Sequence, residues 1–423
     1  MRVALRSPCP IPVSVVLAVL LVTGCAGLSV RESEVTVRPE SRATYLADKP
    51  EALHPHYEVL LRQGPRNAVL NHMRSGLAAI ELEALPVATS SLDEALKGIE
   101  AIYAGTEEAA KARQVFTRES YKDFKGEPYE RAMAYYYRGL LYMREGDYEN
   151  ARASFKGGIL QDAFAEEEQN RSDFALLMFL EGWTSRCLGA DGLAEESFSE
   201  VTKLKPEFAV PPRDHNTLLL AELGTAPVKY ADGPGRSQLH YRRGDGFNEA
   251  RAQFVVGDQV ADAFPLEDIF WQASTRGGRP VDYIMAGKAH FKETAGTIGN
   301  VATVAGLAIL GAAASARSSE AAIAGGVITL VGLIAKGVEA ASRTEADARY
   351  WDNLPDTVHV ATAALPDSEQ PVNALFLDGS GTVIEGLDKV PRVTFAGRCA
   401  LAWARSRTAV PADPRAPNSV AKQ

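Results

Sequence analysis

The sequence predicts an α+β protein of several domains: a helical N-terminal half, then a β-rich part that carries a hydrophobic helical hairpin. Three observations lead there. Residues 66 to 208 are rich in Ala, Leu, Glu and Tyr, hold few prolines, and space their apolar residues at a helical period. Beyond Pro211-Pro212, short runs alternate apolar and polar residues between Gly and Pro breaks. Set among those runs, Thr294 to Ala316 and Ala321 to Ala335 contain no charged residue.

The chain opens on a targeting pattern. Arg2 and Arg6 precede an uncharged run from Pro10 to Gly24, whose apolar part is short of the ~20 residues a spanning helix needs. The run stops at Val22-Thr23-Gly24-Cys25. These four residues resemble the lipobox of a bacterial lipoprotein signal. The resemblance implies removal of residues 1–24 and acyl chains on Cys25. Ala26 in place of an Asp favours the outer membrane, facing the periplasm. Residues 25–65 are polar and mixed, and read as a lipid anchor and tether.

Residues 66–210 hold an internal repeat. From Gly139 and from Gly182, a Gly recurs at +7 (Gly146, Gly189), an Ala at +12 (Ala151, Ala194) and a Phe at +16 (Phe155, Phe198). A weaker unit starts at Gly76, with Ala88 and Leu92 at the same offsets but Glu83 where the turn Gly would stand. A small residue on one helix admits its partner closely, the Ala reciprocates, and the large residue fills the gap to the next pair. This pattern resembles the tetratricopeptide repeat (TPR), with Pro206 where such a repeat ends its second helix. Gly139 and Gly182 stand 43 residues apart, against ~34 in that repeat, so "FAEEEQNRS" lengthens a connection. The resemblance implies a TPR-like solenoid whose concave face takes a protein or peptide. Tyr135, Tyr136, Arg138 and Tyr142 lie on a first helix, the groove-lining one, and are candidate partner-binding residues.

The β-rich part falls into residues 211–293 and 344–406. "NTLLLAELGTAPVKYADG" reads as a buried strand, a turn and a return, followed by short strands in "SQLHYRRG" and "RAQFVVGDQVADAF" and a helix in "RPVDYIMAGKAHFKE". "LDGSGTV" has hairpin chemistry. Between the two parts, residues 294–343 form a Gly/Ala-rich hairpin with Gly299 and Gly306, then Gly325 and Gly332, seven apart around the polar turn Arg317 to Glu320. Such small-residue stripes pack helices backbone to backbone. Three settings remain open for it: against the β part, between copies of the chain as a homo-oligomer contact, or in a membrane. Its Ala and Gly gain little from hydrocarbon, which favours the first two. Residues 407–423 are a Pro- and Ser-bearing disordered tail.

Composition narrows function by exclusion. The net charge is −9, more negative still without Arg2 and Arg6, and no basic block stands in the mature part; nucleic acid is not an expected partner. Cys187 and Cys399, the cysteines outside the signal and anchor, are read as two buried free thiols. The 7 His are scattered, and His54-Pro55-His56 reads as solvated loop histidines. "GDGFNE" and "LDGSGT" lack the closing Glu of a calcium loop. No Gly-x-Ser-x-Gly, phosphate-binding loop or His-Glu-x-x-His occurs. No enzyme, cofactor or metal centre is expected. Trp351 and Asp352, in "ARYWDNLPD", read as an aromatic packed on the sheet.

The layout as a whole resembles a group of little-characterised bacterial lipoproteins. The shared features are the lipid anchor, the helical repeats, "GTAPVK" (Gly224 to Lys229), the glycine-rich hairpin and "LPD" leading into the last strands. This resemblance implies a scaffold or adaptor, for outer-membrane assembly or as an activator of cell-wall synthesis. The alternatives are a cell-wall enzyme without a local motif, and a membrane-inserting or remodelling protein acting through residues 294–343.

Overall fold

The computed structural model describes residues 35–103, 123–163, 172–233, 236, 238–275, 346–366 and 371–410. The signal with Cys25, the helix expected over 279–293, the hairpin 294–343 and the tail from 411 lie outside the described residues. The chain is mixed α+β, with its helices mostly in the N-terminal half and a sheet in the C-terminal half. Among the described residues no helix is long and apolar enough to cross a membrane.

The helices are α1 (Pro39–Leu46), α2 (His54–Gln63), α3 (Ala68–Glu81), α4 (Leu85–Tyr103), α5 (Pro128–Glu145), α6 (Tyr148–Ala163), α7 (Ala175–Cys187) and α8 (Asp191–Leu204). From α3 onward they pack as three successive hairpins, each touching the next. All three turns are built alike. Glu83, Gly146 and Gly189 have φ of +55°, +77° and +79°. Each donates its N–H three residues back, and the next residue donates five back: Glu83 to Ile80 and Ala84 to Ala79, Gly146 to Met143 and Asp147 to Tyr142, Gly189 to Arg186 and Ala190 to Ser185. This is the Schellman closure, which spends two otherwise orphaned carbonyls of the helix end. Glycine adopts its left-handed residue without strain; Glu83 does so against its Cβ.

Residues 35–65 are not a loose tether where they are described. α1, a 3₁₀ turn at Glu51–Leu53 and α2 bury Leu46, Leu53, Tyr57 and Val59. Their apolar residues are sparse but fall on one side, against α3. His54 and His56 open α2 rather than a loop; His56 is buried and His54 half-buried.

The strands are β1 (Thr217–Leu223), β2 (Val228–Asp232), β3 (Gln238–Arg242), β4 (Glu249–Val256), β5 (Gln259–Asp268), β6 (Thr357–Ala363), β7 (Val372–Asp378), β8 (Val393–Ala396) and β9 (Cys399–Arg405), with a short helix α9 (Ile269–Ser274) after β5. Seven form one sheet in the order β7-β4-β5-β6-β1-β9-β8, and β2-β3 is a separate ribbon. The return after Gly224 therefore does not pair with β1, as the sequence suggested. Both flanks of β1 are taken, antiparallel by β6 and parallel by β9, so β2 pairs with β3 instead.

Alternation along the strands divides two cores. Leu218 and Leu220, Val358 and Val360, Leu401 and Trp403 face the helices and share their core. Leu219, Ala221, Ala361, Ala363, Ala402 and Ala404 face away, onto Ala252, Phe254, Val372 and Phe376 of β4 and β7. The sheet thus curls over its second face, and small alanines permit the curl. After β7, bridges Leu377 to Val383 and Ala374 to Lys389 carry the chain along that edge before β8 joins the opposite one.

Cys187 and Cys399 are not free thiols. They form a disulfide, Cα atoms 5.8 Å apart, between the end of α7 and the start of β9. Residues so distant in sequence meet because α7 starts over β5, where Glu267 accepts the Leu176 N–H, and ends at β9.

Candidate functional site

One side of α5, including Tyr136 of the residues expected to line an open groove, packs on the sheet. Tyr136 and Tyr137 are fully buried, and both hydroxyls donate to Glu222 of β1, at 3.1 and 2.9 Å. Glu222 falls at an inward position of the otherwise apolar strand TLLLAEL. It also accepts Trp403 Nε1 at 2.9 Å and Arg405 at 2.6 Å from β9. The parallel register sets Arg405 beside Glu222 and Trp403 beside Leu220, all on the helix side. Arg405 further donates to the Asn353 carbonyl at 2.7 Å. Burial pushes the Glu222 carboxyl up, and the Arg405 guanidinium pulls against it. Its four donors come from two elements, Tyr136 and Tyr137 from α5 and Trp403 and Arg405 from β9, so the carboxylate ties that helix to the two strands β1 and β9.

Four more buried carboxylates are held by specific partners, and one of them, Glu267, ties a helix to the sheet. Glu130 of α5 accepts the Glu127 and Trp351 N–H groups, each at 2.6 Å. Burial raises it to about 7, with Lys229 opposing. Glu267 of β5 accepts the Leu176 N–H of α7 at 3.1 Å and Gln272 Nε2 at 3.0 Å; burial raises it to about 8. Glu249 of β4 faces burial too, but the Arg407 fork at 2.7 and 2.6 Å and the Ser406 hydroxyl at 2.6 Å bring it down to about 2. Asp356, paired with Arg243, is raised by burial to about 6. These groups can take up and release protons, but buried as they are they offer no nucleophile to a solute.

Other surface features are modest. A shallow cleft of about 400 Å³ between α1 and α2 is lined by Arg42, Lys49, Glu51 and His54 among others. Among the described residues no group of three His, Cys, Asp or Glu is placed to hold a metal.

The residues singled out for repeat packing meet as pairs. A Cβ on Gly76 would come within 3 Å of Leu92, on Gly139 within 3 Å of Phe155, and on Gly182 within 3 Å of Phe198. Ala88, Ala151 and Ala194 are buried in the same hairpins, and Pro206 follows α8. The four candidate partner-binding residues are not one exposed patch. Tyr136 is sealed under β1. Arg138 is buried, bonded to Asp93 at 2.6 Å and stacked 3.6 Å from the Tyr142 ring centroid. Tyr135 is half-buried against Gly157 and Gly158 and donates to Glu100. Tyr142 stays partly exposed. The four divide between two neighbours: Tyr136 meets the sheet, while Tyr135 and Arg138 meet Glu100 and Asp93 of α4.

Sequence reasoning passed over Glu222, Arg405, Glu249 and Glu267. A signal was present: single charges at inward positions of TLLLAEL and CALAWAR, where an alternating or fully apolar strand has no place for them unpaired. Trp351, expected to pack on the sheet, is fully buried with its ring 5.6 Å from that of Tyr137, and Asp352 pairs with Arg74 at 2.6 Å. Comparison of the chain with protein-family models, curated proteins and solved structures gave no match.

Proposed function

We propose that this chain is a lipid-anchored, periplasm-facing scaffold that holds a protein partner on TPR-like helical repeats. The carrying observation is recurrence. Three consecutive hairpins repeat one contact (Gly76 on Leu92, Gly139 on Phe155, Gly182 on Phe198) and one left-handed turn (Glu83, Gly146, Gly189). Stacked units of this kind make extended surfaces for partners. The Cys187–Cys399 disulfide supports delivery to an oxidising compartment, the destination of a lipoprotein signal. Because α5 turns its inner face to the sheet, the partner is expected on the outward helices α6 and α8.

Two measurements test the reading. Labelled palmitate should enter the wild-type protein and not Cys25→Ala; equal labelling of both removes the anchor. A photo-reactive residue at Lys156 on α6 and another at Glu196 on α8, both exposed, should trap one adduct of the same size in cells. No adduct from either position counts against a partner on this face.

A further inference from the structure

The helical hairpins have two poles. At one, the turn residues approach the β8-β9 corner: Gly146 lies by Ala396 and Gly189 by Arg398. At the other begin α3, α5 and α7. Three chain roots are tied to this second pole. The Val35 N–H donates to the Arg62 carbonyl at 2.7 Å, in the last turn of α2 and just ahead of α3. Thr275 follows Trp271, whose Nε1 donates to Asp173 at 3.2 Å, immediately before α7. Ala346 stands three residues before Arg349, which donates to Asn67 Oδ1 at 2.5 Å at the start of α3.

The sequence gives these roots a common meaning. Cys25 lies ten residues before Val35, and both charge-free runs lie between Thr275 and Ala346. Exposed large apolar side chains occur at both poles but are more open at this one: Val35 is 53% exposed, Trp271 53%, and Leu160, in the last turn of α6, 55%, against 40%, 39% and 37% for Leu82, Leu188 and Phe395 at the turn pole. Single exposed apolar residues are ordinary; their coincidence with the roots of the anchor and of the apolar run is not. Trp is the side chain that settles at the interfacial layer of a bilayer. Ten extended residues span at most ~36 Å, and a helix as long as α5 is itself ~27 Å. An anchor at Cys25 therefore holds the Val35 pole as the near one, since bringing the far pole down would need about three quarters of the tether's full extension.

We infer that the pole bearing Val35, Leu160 and Trp271 faces a lipid bilayer, with the turns and the disulfide pointing away from it. The inference rests on the anchored reading above. It brings the roots of residues 276–345 to the same lipid surface as the acyl chains.

The test uses the lipidated full chain in phosphatidylethanolamine–phosphatidylglycerol vesicles, with phospholipid brominated near the headgroup. The sequence has 4 Trp, and Trp183, Trp351 and Trp403 are buried, so Trp271 supplies the emission open to contact quenching. Bromine should remove that emission, and Trp271→Phe protein should show no such loss. In the Trp271→Phe background, Phe395→Trp at the turn pole should keep its full emission. Vesicle-bound protein with Trp271 unquenched, or with Phe395→Trp quenched as strongly, overturns the inference alone. Failure of the wild-type protein to float with the vesicles removes the anchored reading, and this inference with it.

Discussion

The Glu222 carboxylate of β1 and the Arg405 guanidinium of β9 meet at 2.6 Å with side-chain exposures of 0% and 4%. No water can replace either partner. Removing Arg405 leaves a carboxylate buried with only neutral donors, which costs about 3–5 kcal/mol. Removing both charges while keeping an acceptor for Tyr136, Tyr137 and Trp403 is cheaper. We expect Arg405→Ala to lower the urea midpoint sharply, and Glu222→Gln with Arg405→Met to recover part of it. A double variant as unstable as Arg405→Ala would mean that packing, not charge, sets the cost.

Stability should fall between pH 6.5 and 8. Glu267 is raised to about 8 and Glu130 to about 7, so above their ordinary 4.5 the folded chain binds more protons than the unfolded one. Their contribution is complete below pH 4.5 and is lost as pH rises through the folded values. His56 and His359, lowered by burial to about 4, act in the opposite sense, and their gain is finished by about pH 6.5. Glu267 alone then accounts for about 2 kcal/mol between pH 6.5 and 8. Chemical denaturation across that range checks it, and Glu267→Gln should flatten the profile. A slope unchanged in Glu267→Gln would rule this carboxyl out as the source.

The disulfide closes a loop of over two hundred residues, with a sequence separation of 212. Cys187→Ala with Cys399→Ala should destabilise by about 2–5 kcal/mol, because the unfolded chain regains the freedom that the bond removes. Thermal unfolding with and without reductant should show the wild type approaching the double variant on reduction, and the variant indifferent to reductant.

Two changes in the hairpins separate overpacking from turn strain. Gly182→Ala drives a Cβ within 3 Å of the Phe198 ring, costing about 1–3 kcal/mol by overpacking; Phe198→Leu should restore part of it. Glu83→Gly relieves a left-handed non-glycine residue by about 1 kcal/mol. It also forfeits the 2.9 Å contact to Arg144, whose side chain is 5% exposed, and a longer pair with Arg392, and an almost buried guanidinium left without its carboxylate offsets that gain. The melting temperature should therefore fall with Gly182→Ala and gain nothing from Glu83→Gly, whereas Glu83→Gly with Arg144→Leu should sit above Glu83→Gly.

Local patterns were legible in the sequence and long-range ones were not. Gly146 and Gly189 announced their turns because a left-handed residue has few candidates, and the +16 offset placed Phe155 and Phe198 opposite their glycines through helix geometry alone. Glu83 hid the third turn by taking the same conformation without being glycine. The strand TLLLAEL was evident, but its neighbours β6 and β9 lie far along the chain, and nothing in its own residues chooses them. The same distance concealed the disulfide. Tyr136 and Tyr142 share one helix, and only the sheet that covers α5 separates the sealed ring from the open one. In residues 35–65, four buried apolar side chains were too sparse to outweigh a polar composition.

The central place of β1 has a bearing on how the protein is made. β1 is the first strand of the sheet to leave the ribosome, yet both strands that flank it, β6 at residues 357–363 and β9 at 399–405, are among the last. Until they arrive, TLLLAEL presents two open edges and apolar side chains on both faces, a template for mispairing. Long-range closures of this sort are also slow. The helices cannot finish their own core either, since Leu218, Val360 and Trp403 belong to it. Completion of both cores must therefore wait for nearly the whole chain.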